Sequence, residues 1–528
     1  MAILTAFGGI HEIGGNKILL ESGSQGIFFD FGLGFASSGM YYDNFLSPRT
    51  NNILFDLIKL NVLPNIKNIY REDLIHPKGM DKLLPGFDLQ GQYLWQDILG
   101  SHESQKSTNL KGVFLSHAHI DHSQFISLID ENTPIYTSKV THKILRMMQE
   151  TSQSILTNEF VDIKLRFIDE IKSKNSFFPG SLVARSGEPT RRNIVDLTPL
   201  QSVRAGDFLV TPINVDHSVL GAMAFFAEIE GKTIFYSGDL RFHGIRDDWT
   251  QLLFEELDKR KPDVMIVEGT RINEEDRDDE REVLYTISSM VSQWEGLAIV
   301  SFAWKDTTRF LTLYQVAKNT GRVLVISHKL AYLIKELGVF PDLGLPNIDD
   351  DPNVKVYLKR SRSLMYSPSD YINSKIALGY ESNWLDKDNP DITHLENGVR
   401  AYHVHENPSK YIIHLDLFDF NELIDIDPPS GTNYVRATSE PFDEEGEMDE
   451  KRIINWLARF DINKSLDHKP LYIHASGHAS GKEIANMINE VMPDKLVPIH
   501  TLHPESFKGL LDKNIEVILP EVGKPVRV

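Results

Sequence analysis

The sequence predicts an α/β protein in which one domain is interrupted by another. Three observations carry this expectation. The first third of the chain reads as short strands and glycine turns, and further strands follow up to about residue 270, several ending in His or Asp. From Glu274 strand-like and helix-like segments alternate, the pattern of a parallel sheet with helical crossovers. After Lys469 the pattern of the first 270 residues returns, so the α/β unit is read as an insertion. The expected domains are 1–270 with 466–528, and 271–465 between them.

Bulk properties set the frame. At 528 residues the chain exceeds one ordinary core. Its 41% hydrophobic and 25% charged content is that of a globular protein. No segment has the apolar length of a membrane span. Met1 to Gly15 lacks the basic head and long apolar run of a signal peptide, and a cytoplasmic location is expected. With no cysteine, disulfides and thiolate ligands are excluded, and a metal site must be built from His, Asp and Glu. The net charge of −20 argues against loose binding to a polyanion.

Taken in order, Ile3–Phe7, Lys17–Glu21 and Gly26–Phe29 alternate as strands, followed by Asp30-Phe31-Gly32. An excursion at about 35–111 is rich in Pro, Asn and aromatics and holds a helix-like Asn52–Leu60. Thr137–Glu150 reads as a helix, and Ile163–Arg204 is polar and basic, with Arg185, Arg191, Arg192 and Arg204. Strands are expected at Phe208–Val215, Ala224–Ile229, Thr233–Tyr236 and Val264–Val267. In the insertion, helices at Glu280–Gln293, Thr307–Thr320 and Lys329–Leu337 alternate with strands at Ala298–Phe302 and Val323–Ile326. The acidic Glu440–Glu450 reads as a solvated loop or helix start. Strands Leu471–His474 and Lys495–Ile499 around a helix at Lys482–Val491 close the chain as a βαβ-like unit.

The chemistry concentrates in Ser116-His117-Ala118-His119-Ile120-Asp121-His122, directly after the strand-like Gly112–Leu115. Alternation along an extended segment sends His117 and His119 to one side. Asp121 and His122 follow as the chain turns toward a helix, so the four groups can divide between two adjacent metal ions. Imidazole with carboxylate suits zinc, or manganese at oxygen-rich positions. A polar loop that happens to hold histidine is the bland alternative, and the spacing speaks against it. Three further residues end apolar runs: His217 after Val210–Val215, Asp239 after Phe235-Tyr236-Ser237-Gly238, and His500 after Val497-Pro498-Ile499. Singly each reads as a satisfied polar residue; together they supply what the cluster lacks.

These residues resemble the metallo-β-lactamase fold. Glu268-Gly269-Thr270, His474-Ala475-Ser476-Gly477-His478 and Pro498-Ile499-His500 resemble the added motifs of its β-CASP branch. Gly8–Asn16 and Ser237–Gly244 look most like ribonuclease J and its relatives. The resemblance implies an αββα sandwich carrying an inserted β-CASP α/β domain. It implies two Zn²⁺, with Mn²⁺ as the other candidate. His117, His119 and His217 would hold one ion and Asp121, His122 and His500 the other, with Asp239 bridging. Glu268 would orient a ligand histidine, His478 would protonate the leaving oxygen, and His474, Ser476 and Gly477 would hold phosphate. Histidine at position 500 goes with RNA-acting members, which implies hydrolysis of single-stranded RNA, from an end or internally, by a hydroxide formed at the two ions. No membrane partner is implied, and homodimerisation is left open. In two places the chain departs from the family: Thr501-Leu502-His503-Pro504 follows His500 where Gly-Glu is usual, and the excursion before the cluster is longer.

Other functional classes remain. The fold also supports hydrolases of lactones or small phosphodiesters, which the net negative charge favours. A non-catalytic RNA-binding subunit is a third reading, though it would need none of the ligand residues. The arginines between Ile163 and Arg204 would line a channel or form a solvated face. Trp304 with Arg309 reads as a core tryptophan and a surface arginine before it reads as a nucleotide contact. His11, His243 and His503 read as structural hydrogen-bonders.

Overall fold

The computed structural model describes residues 2–528 except 44–45, 51, 76, 78–107, 153–154, 170–180, 185–188, 276–278, 361–397 and 439–443. Much of the excursion and Arg185 therefore lie outside the described residues.

Two sheets form a sandwich. The first runs, edge to edge, Ile194–Leu197, Ile135–Ser138, Asn109–Phe114, Gln25–Phe29, Ile18–Ser22, Ile3–Ala6 and Pro525–Arg527. The second runs Val203–Ala205, Phe208–Asn214, Met223–Ile229, Lys232–Tyr236, Val264–Glu268, Lys495–Ile499 and Glu516–Val517. Strand alternation sorts their side chains. Ile18, Leu20, Ile27 and Phe29 of the first sheet meet Val210, Phe225, Ala227, Val264 and Ile266 of the second in a shared inner core. The intervening residues Ala224, Phe226, Met265 and Val267 face outward, under helices Asp247–Arg260 and Gly481–Val491. On the far side of the first sheet Phe28, Val113 and Leu115 pack with helix Lys139–Thr151. This is an αββα metallo-β-lactamase fold, and its last strands come from the C-terminal part of the chain.

The third sheet belongs to the insertion. Its order is Gly398–Val399, Val354–Tyr357, Val323–Ile326, Tyr411–His414, Ala298–Ser301, Asn433–Arg436 and Leu471–Tyr472, and every described pairing in it is parallel. Helices Glu280–Gln293, Thr307–Thr320 and His328–Leu337 cover one face. Ala401–Glu406, Glu422–Ile426 and Glu444–Arg459 cover the other. The sequence supplies the stops. Asp279, Asp306, Ser327 and Ser480 each accept a backbone N–H at a helix start, and Ser480 with Glu483 completes a capping box.

Leu471–Tyr472 lies elsewhere than the sequence suggests. Instead of opening the closing βαβ-like unit, it pairs with Asn433–Arg436 at the edge of the insertion's sheet. A two-residue strand carries too short a pattern to say which sheet it joins.

A buried charge network fastens the insertion to the sandwich. Arg309 and Glu280, both fully buried, pair at 2.8 Å. Arg241 pairs with Asp216 at 3.0 Å and approaches Glu280 at 3.7 Å. Arg309 is thus no surface arginine. Removing one partner leaves a buried charge unmatched, so Glu280→Gln is expected to cost about 3–5 kcal/mol, read as a lowered midpoint in denaturant unfolding.

Candidate metal centre

The second sheet delivers its chemistry at one end. Phe208–Asn214, Lys232–Tyr236, Val264–Glu268 and Lys495–Ile499 run in one direction. Past or at their C-terminal ends come His217, Asp239, Glu268 and His500. The cluster His117–His122 arrives in the same place from strand Asn109–Phe114 of the first sheet. Gly238 adopts φ +54, the turn that presents Asp239. His500 sits at φ +51, a conformation costly for a side chain with Cβ, and its N–H donates to Gly9 O at 2.6 Å.

Two groups of ligand-type atoms result, each within 4.8 Å of one another: His117, His119, His217 and Asp239; and Asp121, His122, Asp239 and His500. These are the seven residues that the sequence singles out. Asp239 belongs to both groups. Its Oδ2 lies 3.0 Å from His122 Nε2, 3.6 Å from His117 Nε2, 3.7 Å from His500 Nε2 and 3.9 Å from His217 Nε2. His119 Nδ1 is 3.0 Å from His117 Nε2 and 3.2 Å from His217 Nε2.

The fit to metal rests on three observations. First, buried His122 Nε2 and Asp239 Oδ1 have no well-aligned hydrogen-bond partner among the described residues, and buried polar atoms of this kind call for an explanation. Second, four imidazoles have their far nitrogen held by the scaffold: His117 Nδ1 by Ser116 Oγ at 2.9 Å, His122 Nδ1 by Asp30 at 2.7 Å, His217 Nδ1 by Gly477 O at 2.6 Å and His500 Nδ1 by Thr270 Oγ1 at 2.8 Å. Such partners fix ring orientation at metal sites. Third, burial and the neighbouring imidazoles draw His117 and His119 well below the usual imidazole range, and burial, partly offset by Asp239, brings His217 to about 4. These rings are neutral, as ligands must be. His122 differs: burial pulls it down, but Asp239, Asp121 and Asp30 outweigh burial and hold it well above that range. A ring facing three carboxylates marks a place that lacks positive charge.

Asp30 is the residue that sequence reasoning misses. Besides holding His122, it accepts from Tyr236 Oη at 2.6 Å and from Ser116 N at 2.7 Å. The available signal is its position: like Asp239, it is a carboxylate just past an apolar strand. Close packing behind the cluster is visible at Gly32, where an added Cβ would lie 1.7 Å from Asp121 O. Gly32→Ala is therefore expected to destabilise the fold by about 3 kcal/mol, the upper end for overpacking, and to lower metal content in elemental analysis.

Glu268, His478 and His500 form a third group. The resemblance assigns Glu268 to orienting a ligand histidine. Its Oε1 instead lies 3.0 Å from His478 Nδ1, while Thr270 holds His500. Burial draws His478 down, but Glu268 and Asp239 outweigh it and hold the ring at about 9.

The loop 474–478 is held by its carbonyls. Arg309 donates to Ala475 O at 3.1 Å, Arg241 to Ser476 O at 3.1 Å, and Arg271 to His478 O at 3.5 Å. With His217 on Gly477 O, the carbonyls of 475–478 all face the scaffold. Ser476 Oγ accepts from His478 N at 3.1 Å. His474 is not brought to the metal groups: it packs beside Arg309, and burial with that guanidinium lowers it to about 3. His243 is buried between Glu483 and Ser476 O, a structural role as expected. Arg192 is buried too, donating to Ser127 and Ile129 carbonyls rather than lining a channel.

Comparisons with known proteins agree with this geometry. Residues 85–302 match the Beta-lactamase superfamily domain, and residues 471–520 match the Zn-dependent metallo-hydrolase RNA specificity domain. The chain is 20% identical to Ribonuclease J of Mycoplasma genitalium and 20% identical to that of Mycoplasma pneumoniae; each match spans 94% of this chain and 67% of the relative. It is 24% identical to the Integrator complex subunit 11 homolog of Dictyostelium discoideum over 36% of this chain and 24% of that one. A crystal structure of a protein of unknown function from Enterococcus faecalis V583 shares the fold along 100% of both chains, with TM-score 0.67 and 21% identity. Seven converging His and Asp side chains, a parallel-sheet insertion and these matches lead to one assignment: the chain is a metal-dependent hydrolase of metallo-β-lactamase fold, similar to the β-CASP, ribonuclease J-like branch.

Proposed function

We propose that the protein is a zinc-dependent ribonuclease that hydrolyses phosphodiester bonds of single-stranded RNA in the cytoplasm. The observation that carries this is the sharing of Asp239 between two ligand groups with the Glu268–His478 pair beside them. The match to an RNA specificity domain over 471–520, which includes His474–His478 and His500, supports RNA as substrate. In this reading the metallo-β-lactamase part is 1–270 with 466–528 and the β-CASP part is 271–465, with Leu471–Tyr472 reaching back to the insertion's sheet.

His117, His119 and His217 would hold one ion and Asp121, His122 and His500 the other, with Asp239 between. Two such ions would neutralise phosphate charge and acidify water, which is the chemistry an anionic diester needs. Around them Ser116, Asp30, Gly477 and Thr270 keep the rings aimed inward. Ser476 and Gly477 lie in a loop whose carbonyls are turned away, which leaves backbone N–H groups for a phosphate oxygen. His478 donates a proton to the departing ribose oxygen, and Glu268 on Nδ1 fixes the orientation of the protonated ring.

The test is to incubate purified protein, and its Asp121→Ala variant, with 5′-phosphorylated and 5′-triphosphorylated RNA. Loss of cleavage on adding a chelator, and its return with zinc or manganese, is expected. Mononucleotides would show cleavage from an end and discrete fragments internal cleavage. Intact RNA together with hydrolysis of bis(p-nitrophenyl) phosphate would replace this reading with a small-diester hydrolase.

A further inference from the structure

In parallel sheets ligands bind outside the carboxyl ends of the strands. In the insertion's sheet, that edge carries Trp304 and Lys305 after Ala298–Ser301, Lys329 after Val323–Ile326, and the loop 474–478 after Leu471–Tyr472. This edge therefore faces the metal centre. Lys305 is near enough for its charge to act on both His119 and Asp121.

Two features single out this corner. The Lys305 and Lys329 ammonium groups both lie against one aromatic ring, 5.9 Å and 4.1 Å from the Trp304 centroid. Among the described residues neither ammonium makes a hydrogen bond or ion pair. The chain has 75 Asp and Glu against 55 Lys and Arg, so carboxylate partners are abundant elsewhere. Asp121 and Asp416 act on Lys305 and Lys329 only from beyond ion-pair distance, so the two partly buried cations keep a desolvation cost, and Lys329 adds repulsion on Lys305. An anion arriving from outside removes both.

We propose that Lys305 and Lys329, held on Trp304, form a phosphate subsite for the nucleotide flanking the scissile bond, which makes the substrate a polyanionic strand rather than an isolated diester. This rests on the ribonuclease reading. It also answers the charge objection: the mean field of the protein is negative, but the wall beside the metal centre is locally positive. Trp304 is then neither a bare core residue nor a stacking platform for a base; its ring is a support for the two cations.

The experiment measures equilibrium binding of a short 2′-O-methyl phosphorothioate oligonucleotide, which resists cleavage, to the metal-loaded protein across a salt series. Lys305→Gln is expected to weaken binding about fivefold and to lower the slope of log K against log salt by about 0.7, the value for one lost phosphate contact on a single strand. Lys305→Arg should keep the slope, and Lys329→Gln should lower it. Wild-type affinity and slope in Lys305→Gln would overturn the subsite, as would an equal loss in Lys305→Arg, which would indicate packing rather than charge. If the wild-type protein itself does not bind the oligonucleotide, the ribonuclease reading falls and the subsite with it.

Discussion

Asp239→Ala is expected to abolish RNA hydrolysis, with a loss of at least about 10³-fold in kcat, and to empty the centre of metal. The reason is positional. One carboxylate oxygen lies between 3.0 and 3.9 Å from four imidazole nitrogens, two from each ligand group. Among the described residues no other side chain belongs to both of these groups, so its removal would take a ligand from each proposed ion at once. Several kcal/mol of charge stabilisation go with the ions, and each 1.36 kcal/mol is tenfold in rate. Elemental analysis of the variant, beside its turnover, is the check. A variant that kept both ions and near-normal turnover would remove the basis for a shared centre. The carboxylate's own state favours the role: burial acts against its charge, but His122 and His500 outweigh burial and hold it well below the usual carboxylate range.

His478→Ala is expected to behave differently: both ions stay and turnover falls by about 10²–10⁴-fold, the span for loss of a general acid. Its Nδ1 is committed to Glu268, and its ring stacks 5.5 Å from that of His500 without joining either metal group. The leaving group supplies a second reading. With p-nitrophenolate, which departs without a proton, the variant's deficit should shrink by at least about tenfold relative to RNA, because that oxygen needs little help from an acid. Loss of metal from the variant, or an equal deficit on both substrates, would assign the side chain to holding the centre together.

Local chemistry makes most of this centre legible in the sequence. His117, His119, Asp121 and His122 are neighbours in the chain, and the alternation of an extended segment is enough to put the first two on one side. His217, Asp239 and His500 stand out because each ends an apolar strand, where a rigid backbone gives way to a turn. Partners are harder to see. Asp30 meets His122 across 92 positions and Thr270 meets His500 across 230, and a single sequence carries no record of such distances. Glu268 is visible as a buried acid, but which histidine it reaches depends on how two parallel strands set their ends side by side.

The sequence by itself determined the class of elements, the insertion and the donor set, because hydrophobic periodicity and strand-end residues are properties of short windows. The tertiary structure alone decided which side chains go unpaired and which are paired out of sight. Arg309 reads as surface charge until helix Glu280–Gln293 brings Glu280 against it, and Lys305 reads as ordinary until the fold sets it on Trp304 with no ion pair among the described residues. Burial and charge balance are sums over everything that surrounds a group, and those surroundings exist only once the chain has folded.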